Sequence, residues 1–443
     1  MDDELKQSVL KQAKEKGVKS VVLRFVDVTG GAKNCEITAA RLEDVLYGGL
    51  WFDGSSIAGF ARISESDMLL MPEPETFRTM PWAPGVARIM CDVYTVEDKP
   101  FEGDPRGCLK KALARVTQAG FEYKVGPELE FFLFKNGCNG SCTPEPHDAA
   151  GYFDLATVDL AADVRREVVP ALEQMGLEIE MSHHEVAPGQ HEIDFKYGNA
   201  LAIADSVMTY KDAVKTIAMK HGLFASFMPK PIAGINGSGM HVHQSLWREG
   251  ETAFYDEKDE YQLSSTAMHF IAGQLHHARA LAGVVAPTVN SYKRLVPGFE
   301  APVYACWGKT NRSALIRVPR PARGKKSSVR CELRCPDPSC NPYLAFAAML
   351  EAGMDGVEKK MKPPAAVEED VYEFNDEKLA KFYIKTLPST LAEAMRETAG
   401  DDVVKGALGS HAFEMLQACQ KREWDAYRTQ VTPWELQEYL PKL

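Results

Sequence analysis

The stretch Gly126-Pro127-Glu128-Leu129-Glu130-Phe131-Phe132-Leu133-Phe134 constrains this chain more than any other. The apolar, aromatic run after Glu130 reads as a buried strand. Side chains alternate along a strand, so Glu128 and Glu130 share one face while Leu129 and Phe131 take the other. Two carboxylates about 7 Å apart on one face of a buried strand repel, and desolvation raises their pKa values. A divalent cation relieves both costs. A solvated edge strand is the bland alternative, and the neighbouring aromatic run argues against it.

A second acidic segment, His183–Phe195, carries Glu185, Glu192 and Asp194 together with His183, His184 and His191. Pro188 and Gly189 at its centre predict a turn, which lets Glu185 and Glu192 face each other across a hairpin-like bend. His241, in Asn236–His243, and Glu332, between Arg330 and Arg334, are further candidate ligands. Carboxylates with one imidazole suit Mg2+ or Mn2+ better than a thiolate-seeking metal.

A chain of 443 residues can bury a large core and is expected to form two domains. Its net charge of −11 favours solubility and gives no basic patch for nucleic acid. Met1–Lys6 lacks the basic-then-apolar pattern of a signal peptide, and no apolar run of about 18 residues spans a membrane. A cytoplasmic protein is expected. In such a setting the ten cysteines stay reduced. The Cys138/Cys142 and Cys331/Cys335/Cys340 spacings lack the paired two-residue gaps of a zinc site, so Cys331 and Cys335 read as small apolar fillers on a strand.

Along the chain, residues 3–16 form an amphipathic helix ended by Gly17. Val21–Val28, Lys33–Thr38 and Arg88–Tyr94 read as strands, which makes the N-terminal part a small α+β unit. Lys99–Pro105 is rich in breakers and marks the best domain boundary. Beyond it helices alternate with strands: helices over Cys108–Gln118, Asp159–Gln174, Ala202–Met219, Ser265–Ala282 and Tyr343–Met354, and strands over Leu177–Met181, Leu223–Met228 and Met240–Leu246. The part from Glu377 onward is mostly helical. Asp53-Gly54-Ser55-Ser56, taken alone, is a turn with a helix cap.

Arg294, Arg312, Arg317, Arg320, Arg323, Arg330 and Arg334 crowd one stretch. Guanidinium forks grip phosphates and carboxylates in pairs of hydrogen bonds. An acidic metal centre beside such a cluster is the equipment of phosphoryl transfer. Surface ion pairing is the competing account, and it is strongest for Arg320 and Arg323.

Taken together, these motifs resemble the type I glutamine synthetases nearly end to end. The resemblance runs through Phe52–Ser56, Glu128/Glu130, Glu185–Glu192, Asn236–His243, Asn290–Pro302, Asn311–Ser313, Arg317 and Arg330–Asp337. It implies a β-grasp-like domain over residues 1–103 and an α+β catalytic domain over 104–443, with an antiparallel sheet flanked by helices. It implies ligation of ammonia to L-glutamate through a γ-glutamyl phosphate, with ATP and two or three divalent cations, Mg2+ or Mn2+. By resemblance, Glu130, Glu185 and Glu192 hold the cation nearer the amino acid, and Glu128, His241 and Glu332 the one on the ATP phosphates. Arg312, Arg317 and Arg330 neutralise phosphates; Glu180, Tyr197, His243 and Ser245 take the nucleotide. Arg294, Arg334 and the Gly237 backbone grip glutamate. Asp53, Tyr152 and Glu300 form the ammonium site, with Asp53 accepting the proton and Gly298 letting the Glu300 segment close as a flap. The resemblance further implies a homododecamer of two hexameric rings with sites shared between subunits, and a regulatory partner of the PII type.

Two departures stand out. Phe299 replaces the tyrosine common in the family, and the adenylylation segment is unmatched, although Tyr372 lies near its position. The chain is therefore closer to the shorter bacterial and archaeal form, in which Arg62 occupies a position tied to glutamine feedback. Two alternatives stay open: a γ-glutamyl ligase that uses an amine or polyamine, and a catalytically silent assembly subunit.

Overall fold

The computed structural model describes residues 2–60, 66–135, 144–309 and 311–443; Arg62, Cys138 and Cys142 lie outside them. Ser20–Val26 shows how the first sheet is built. Val21, Leu23 and Phe25 point into a core shared with Leu42, Val45, Leu46 and Leu70. The alternate residues Val22 and Val26 face the main core of the chain beside Tyr123, Val125 and Leu129. A strand with both faces apolar is thus a strand between two cores. It pairs parallel with Val86–Tyr94 and antiparallel with Ala32–Thr38. Among the described residues the sheet has six strands, in the order Ala32–Thr38, Ser20–Val26, Val86–Tyr94, Asp67–Pro72, Leu50–Asp53, with Arg78–Thr79 at its side.

The larger sheet has ten strands among the described residues. Its path runs Tyr304–Gly308, Ala314–Arg317, Cys331–Leu333, Met240–Arg248, Glu122–Lys135, Gln190–Phe195, Ile179–His184. Every pair is antiparallel except Tyr304–Gly308 with Ala314–Arg317, which is parallel. The helices Pro105–Gln118, Ala200–Lys220 and Pro342–Glu358 pack behind it, their buried faces joining Phe131, Tyr210 and Phe346. Caps fix their starts: Asp104, Asn199 and Asn341 each accept a hydrogen bond from the first turn that follows.

Polar clamps join the two sheets. Arg106, 4% exposed, donates to Asp92 on the small sheet (2.5 Å) and to Asp205 on the helix Ala200–Lys220 (3.0 Å and 3.1 Å). Asn341 donates to the Asp27 carbonyl at 3.0 Å.

Four elements depart from the sequence reading. Leu50–Asp53 and Asp67–Pro72 are paired strands, so Asp53 ends a strand and caps no helix. The strand at Leu177–Met181 instead spans Ile179–His184. The long helix over Ser265–Ala282 is two helices, Ser265–His276 and Ala278–Val285. The break falls at His277, whose ring bridges Asp401 (2.6 Å) and Asp355 (3.1 Å).

That bridge has a pH signature. Burial pulls His277 down, but its hydrogen bonds with Asp401 and Asp355 prevail and raise its pKa. A histidine raised by its partners stabilises fully below its unfolded pKa of about 6.5, and the contribution is lost as pH rises through the folded value. Asp355, which also pairs with Lys359, and Asp401 are both lowered, so their share is lost only in acid. His277→Ala takes the imidazole from two half-buried carboxylates, of which Asp355 keeps Lys359 and Asp401 keeps the Val403 and Val404 N–H groups, and is expected to cost about 2 kcal/mol at pH 6. Urea unfolding at pH 6 and pH 8.5 checks this. The loss should shrink at the higher pH, and an equal loss at both would count against the charged bridge.

Candidate metal centre and nucleotide cleft

Strand register assembles the centre. On Glu122–Lys135, Glu128 lies opposite His241 and Glu130 opposite Glu192. On the next strands His243 lies opposite Glu332, and His183 opposite Glu192. One group is Glu128, His241 and Glu332, with donor atoms within 4.8 Å of one another. His241 Nδ1 stands 3.5 Å from Glu128 and 3.6 Å from Glu332. A second group is His183, Glu185 and Glu192, with His183 nitrogens 3.6 Å from Glu185 and 3.8 Å from Glu192. These separations are too long for hydrogen bonds, yet ligands about 2.1 Å from one cation lie about 3–4 Å apart. The donors fit a hard divalent cation.

The sequence reading placed Glu130, Glu185 and Glu192 together. The structure adds His183 to the last two and holds Glu130 beside them, accepting from Gln190 Nε2 (2.8 Å) and Gly239 N (2.9 Å). His183 was visible in the sequence, but three histidines in thirteen residues gave no way to choose among them.

Electrostatics agree with the geometry. Burial, then the Glu185 charge, lifts Glu130 to about 8. Burial and the Glu300 charge lift Glu185 to about 7, and burial with Asp194 and Glu130 takes Glu192 well above the carboxylate range. Glu332 behaves in the opposite way: burial pushes it up, but Arg334 together with the adjoining imidazoles prevails and holds it at about 2. Burial and the Arg334 charge keep His241 neutral, with a pKa of about 4. A neutral imidazole beside ionised carboxylates is a competent ligand set.

A third acid–imidazole group, Asp148, His184 and His191, is excluded as a metal site. Arg165 donates to His191 Nδ1 at 2.8 Å, so Nε2 carries the hydrogen and has no lone pair to offer. His184 is saturated by Asp148 (3.0 Å) and the Glu185 carbonyl (2.6 Å). With Asp148 also accepting from Gly189 N (2.9 Å), the group braces the turn between Glu185 and Glu192.

A cleft of about 420 Å³ opens beside the Glu128 group, lined by Lys124, Glu180, Asp194, Tyr197, Ser245 and Arg330 among others. His243 joins it to the centre, with Nε2 2.7 Å from Glu128 and Nδ1 accepting from Arg330 at 3.1 Å. Ser245 accepts from Trp247, on which Tyr197 stacks at 6.2 Å.

The remaining candidates divide into two sets. Arg334 is buried on Glu332 (2.6 Å) and its Nε has no hydrogen-bond partner; Arg317 also pairs with Glu332. Arg294 is buried and gives three N–H bonds to the carbonyls of Arg334, Cys335 and Pro336, so it shapes the pocket wall as well as facing it. Gly237 is required by space, since a Cβ there would lie 2.2 Å from the Pro229 carbonyl oxygen. Tyr152 is 47% exposed and its ring lies 5.6 Å from His183. Arg312 and Glu300 are exposed at the mouth of the site, with charges that reach Tyr152 and Glu185 respectively. Asp53 stands apart. It is exposed, and its carboxylate accepts from Ser55 N at 2.8 Å within its own turn.

Paired acid–imidazole groups on neighbouring strands, with Arg317 and Arg334 on Glu332 and Arg330 in the adjoining cleft, define a metal-dependent enzyme of phosphoryl-transfer type. Residues 102–439 match the family described as glutamine synthetase, catalytic domain, and residues 17–96 match glutamine synthetase, beta-Grasp domain. The chain is 52% identical to the glutamine synthetase of Clostridium saccharobutylicum over 440 residues, 99% of each. It is 51% identical to that of Thermus thermophilus over 442 residues, 98% of each. A solved structure named GmaS/ADP complex superposes with a TM-score of 0.90 at 34% identity, covering 98% of this chain and 99% of that one. The chain belongs to the glutamine synthetase family. Its activity is the ATP-dependent ligation of ammonia to glutamate, and the family's use of divalent metal agrees with the two groups above. The expected α+β fold with an N-terminal β-grasp domain is borne out.

Proposed function

We propose that the two acid–imidazole groups divide the labour of glutamine synthesis. Glu130, Glu185 and Glu192, with His183, hold one Mg2+ or Mn2+ beside the amino acid, and Glu128, His241 and Glu332 hold a second beside the ATP phosphates. Bound there, the cations polarise phosphoryl oxygens and neutralise developing charge. Arg312, Arg317 and Arg330 steady the γ-phosphate while a glutamate γ-carboxylate oxygen attacks phosphorus and the bond to ADP breaks. Arg334, Arg294 and Gly237 orient glutamate, and the buried, unpartnered Arg334 Nε awaits a carboxylate. Glu180, Tyr197, His243 and Ser245 take the nucleotide, a reading supported by the ADP named in the similar solved structure. Asp53, Tyr152 and Glu300 capture ammonium. Asp53 accepts its proton, ammonia nitrogen attacks the acyl carbon, and phosphate leaves, taking up the further proton that the nitrogen loses.

The observation that carries this reading is the pair of groups on adjacent strands, separated by the spacings a cation imposes. It also weighs against a silent assembly subunit, whose ligands would have no reason to converge. Retained Tyr152 and Glu300 favour ammonia over a bulkier amine. The test is phosphate release from ATP and glutamate with ammonium, methylamine or a diamine. Ammonium should give the highest kcat/KM, and a larger value for either amine would overturn the ammonium site.

We further assign residues 1–103 and 104–443 to the two domains, and the assembly to a dodecamer of two hexameric rings. Trp434 (62% exposed) on the last helix and Leu440 (76%) at its C-terminal cap support a docking role for the C-terminus. A cytoplasmic setting suits a chain whose described cysteines are all free thiols. No helix among the described residues is long and apolar enough to cross a membrane.

A further inference from the structure

The segment Gly298–Ala301 carries the flap carboxylate in an unusual backbone. Gly298 has φ +93, and Glu300, with a side chain, has φ +55. A residue with a Cβ holds such a conformation only when its neighbours impose it. Both shoulders of Glu300 are held from outside the segment. On one side the Lys230 Nζ lies 3.9 Å from the centroid of the Phe299 ring. On the other, the Tyr372 hydroxyl donates to the Ala301 carbonyl at 2.7 Å.

Neither partner is free to wander. Lys230 is 8% exposed, and its Nζ also donates to the Ile235 carbonyl. Its backbone is gripped from both ends by Asn290, which accepts from Lys230 N (2.7 Å) and donates to the Lys230 carbonyl (3.0 Å). Ile235 lies two residues before Gly237, whose carbonyl accepts from the Gln190 side chain that also holds Glu130. Lys230 therefore touches both the Phe299 shoulder and the loop that leads to the amino-acid pocket. Tyr372 is half-buried, and its turn is fixed by Asp370, which accepts from Tyr372 N at 3.0 Å. The tyrosine near the unmatched modification segment thus has its hydroxyl committed to the flap.

We infer that Lys230 and Tyr372 are positioning residues that latch the Phe299–Ala301 segment, so that Glu300 covers the acyl phosphate and excludes water. The inference rests on the reading of Glu300 as the flap carboxylate. A cation–π contact and a single hydrogen bond are each comparable in size to the cost of the left-handed backbone, so the latch holds the segment without locking it. The aromatic ring at 299 matters here as the seat of the lysine, a role in which phenylalanine serves as well as tyrosine.

The test measures phosphate released per glutamine formed, with KM for ammonium, in Lys230→Met, Phe299→Leu, Tyr372→Phe and Glu300→Ala, alongside Lys230→Arg and Phe299→Tyr. Loosening the latch should raise the ratio from about one to about two or more and raise KM for ammonium, while KM for ATP stays as it was. The arginine and tyrosine variants, which keep the cation and the ring, should stay near one. A structural lesion elsewhere would lower the rate without moving the ratio. Phe299→Leu, at a half-exposed position, keeps the test alive should Lys230→Met not assemble. If Glu300→Ala uncouples the reaction while Phe299→Leu and Tyr372→Phe stay at one to one, the latch is wrong and the flap stands. If Glu300→Ala also stays coupled, the flap reading fails, and the latch with it.

Discussion

Glu130→Ala and Glu185→Ala should each lower glutamine formation by tenfold to a hundredfold or more, because losing one group that holds a metal or a transition-state charge typically costs that much. The fold should survive both. Glu130 is raised to about 8 by burial and then by Glu185, and Glu185 to about 7 by burial and then by Glu300, so each resists ionisation in the metal-free protein. Removing either acid relieves repulsion, although Glu130→Ala also takes the acceptor from Gln190 Nε2 and Gly239 N. In EDTA Glu185→Ala should melt close to the parent and Glu130→Ala somewhat lower. With Mn2+ added, the parent should gain stability and the variants less, because a ligand stabilises only in proportion to its affinity for the folded state. Calorimetric Mn2+ titration supplies a readout independent of turnover. A variant that keeps more than about a tenth of the parental rate and binds Mn2+ unchanged would remove that residue from the metal centre.

The part of this site that was legible in the sequence was the part written in local alternation. Glu128 and Glu130 share a face because a strand repeats every second residue, and Leu129 and Phe131 at 0% exposure confirm the other face. The facing of Glu185 and Glu192 followed from Pro188-Gly189, and the two strands do form a hairpin around that turn. What stayed hidden depends on partners far along the chain. The pairing of His243 with Glu332 is a sheet register, which only the folded core selects. The break at His277 needs Asp355 and Asp401, 78 and 124 residues away, and nothing in the apolar periodicity of Ser265–Ala282 announces it. Leu50–Asp53 and Asp67–Pro72 are short strands whose ends, an aspartate followed by Gly54 and a Pro72, carry turn chemistry that masks them. Lys230 and Tyr372 could not be found by composition at all, since their meaning lies in what they touch.

Two inactive chains, Asp53→Ala and Glu128→Ala, should regain activity when unfolded together and co-assembled. Asp53 belongs to the small sheet, whereas every proposed metal ligand lies on the large one or the turn within it. Within one chain the segment that follows Asp53 faces the C-terminal helix Ser410–Tyr427 across a cleft, with His411 Nε2 2.9 Å from the Gly59 carbonyl. That packing turns the segment toward its own C-terminal helix. Two exposed apolar surfaces, apart from the C-terminal one, are available to a neighbour. Trp51, on the same strand face as Asp53, is 56% exposed, and Phe153 (54%) and Leu155 (75%) flank Tyr152 beside His183. In the proposed assembly a head-to-tail contact between them would bury both, and such contacts close into a ring when the rotation allows. If sites are shared as proposed, a site in a one-to-one mixture is intact only where the small sheet of a Glu128→Ala chain meets the large sheet of an Asp53→Ala chain. Random assembly makes that about one interface in four, so activity should recover toward a quarter of the parental value. Either mutant assembled alone stays inactive. Mixed oligomers that form normally and show no more activity than either parent would mean that each chain carries a complete site of its own.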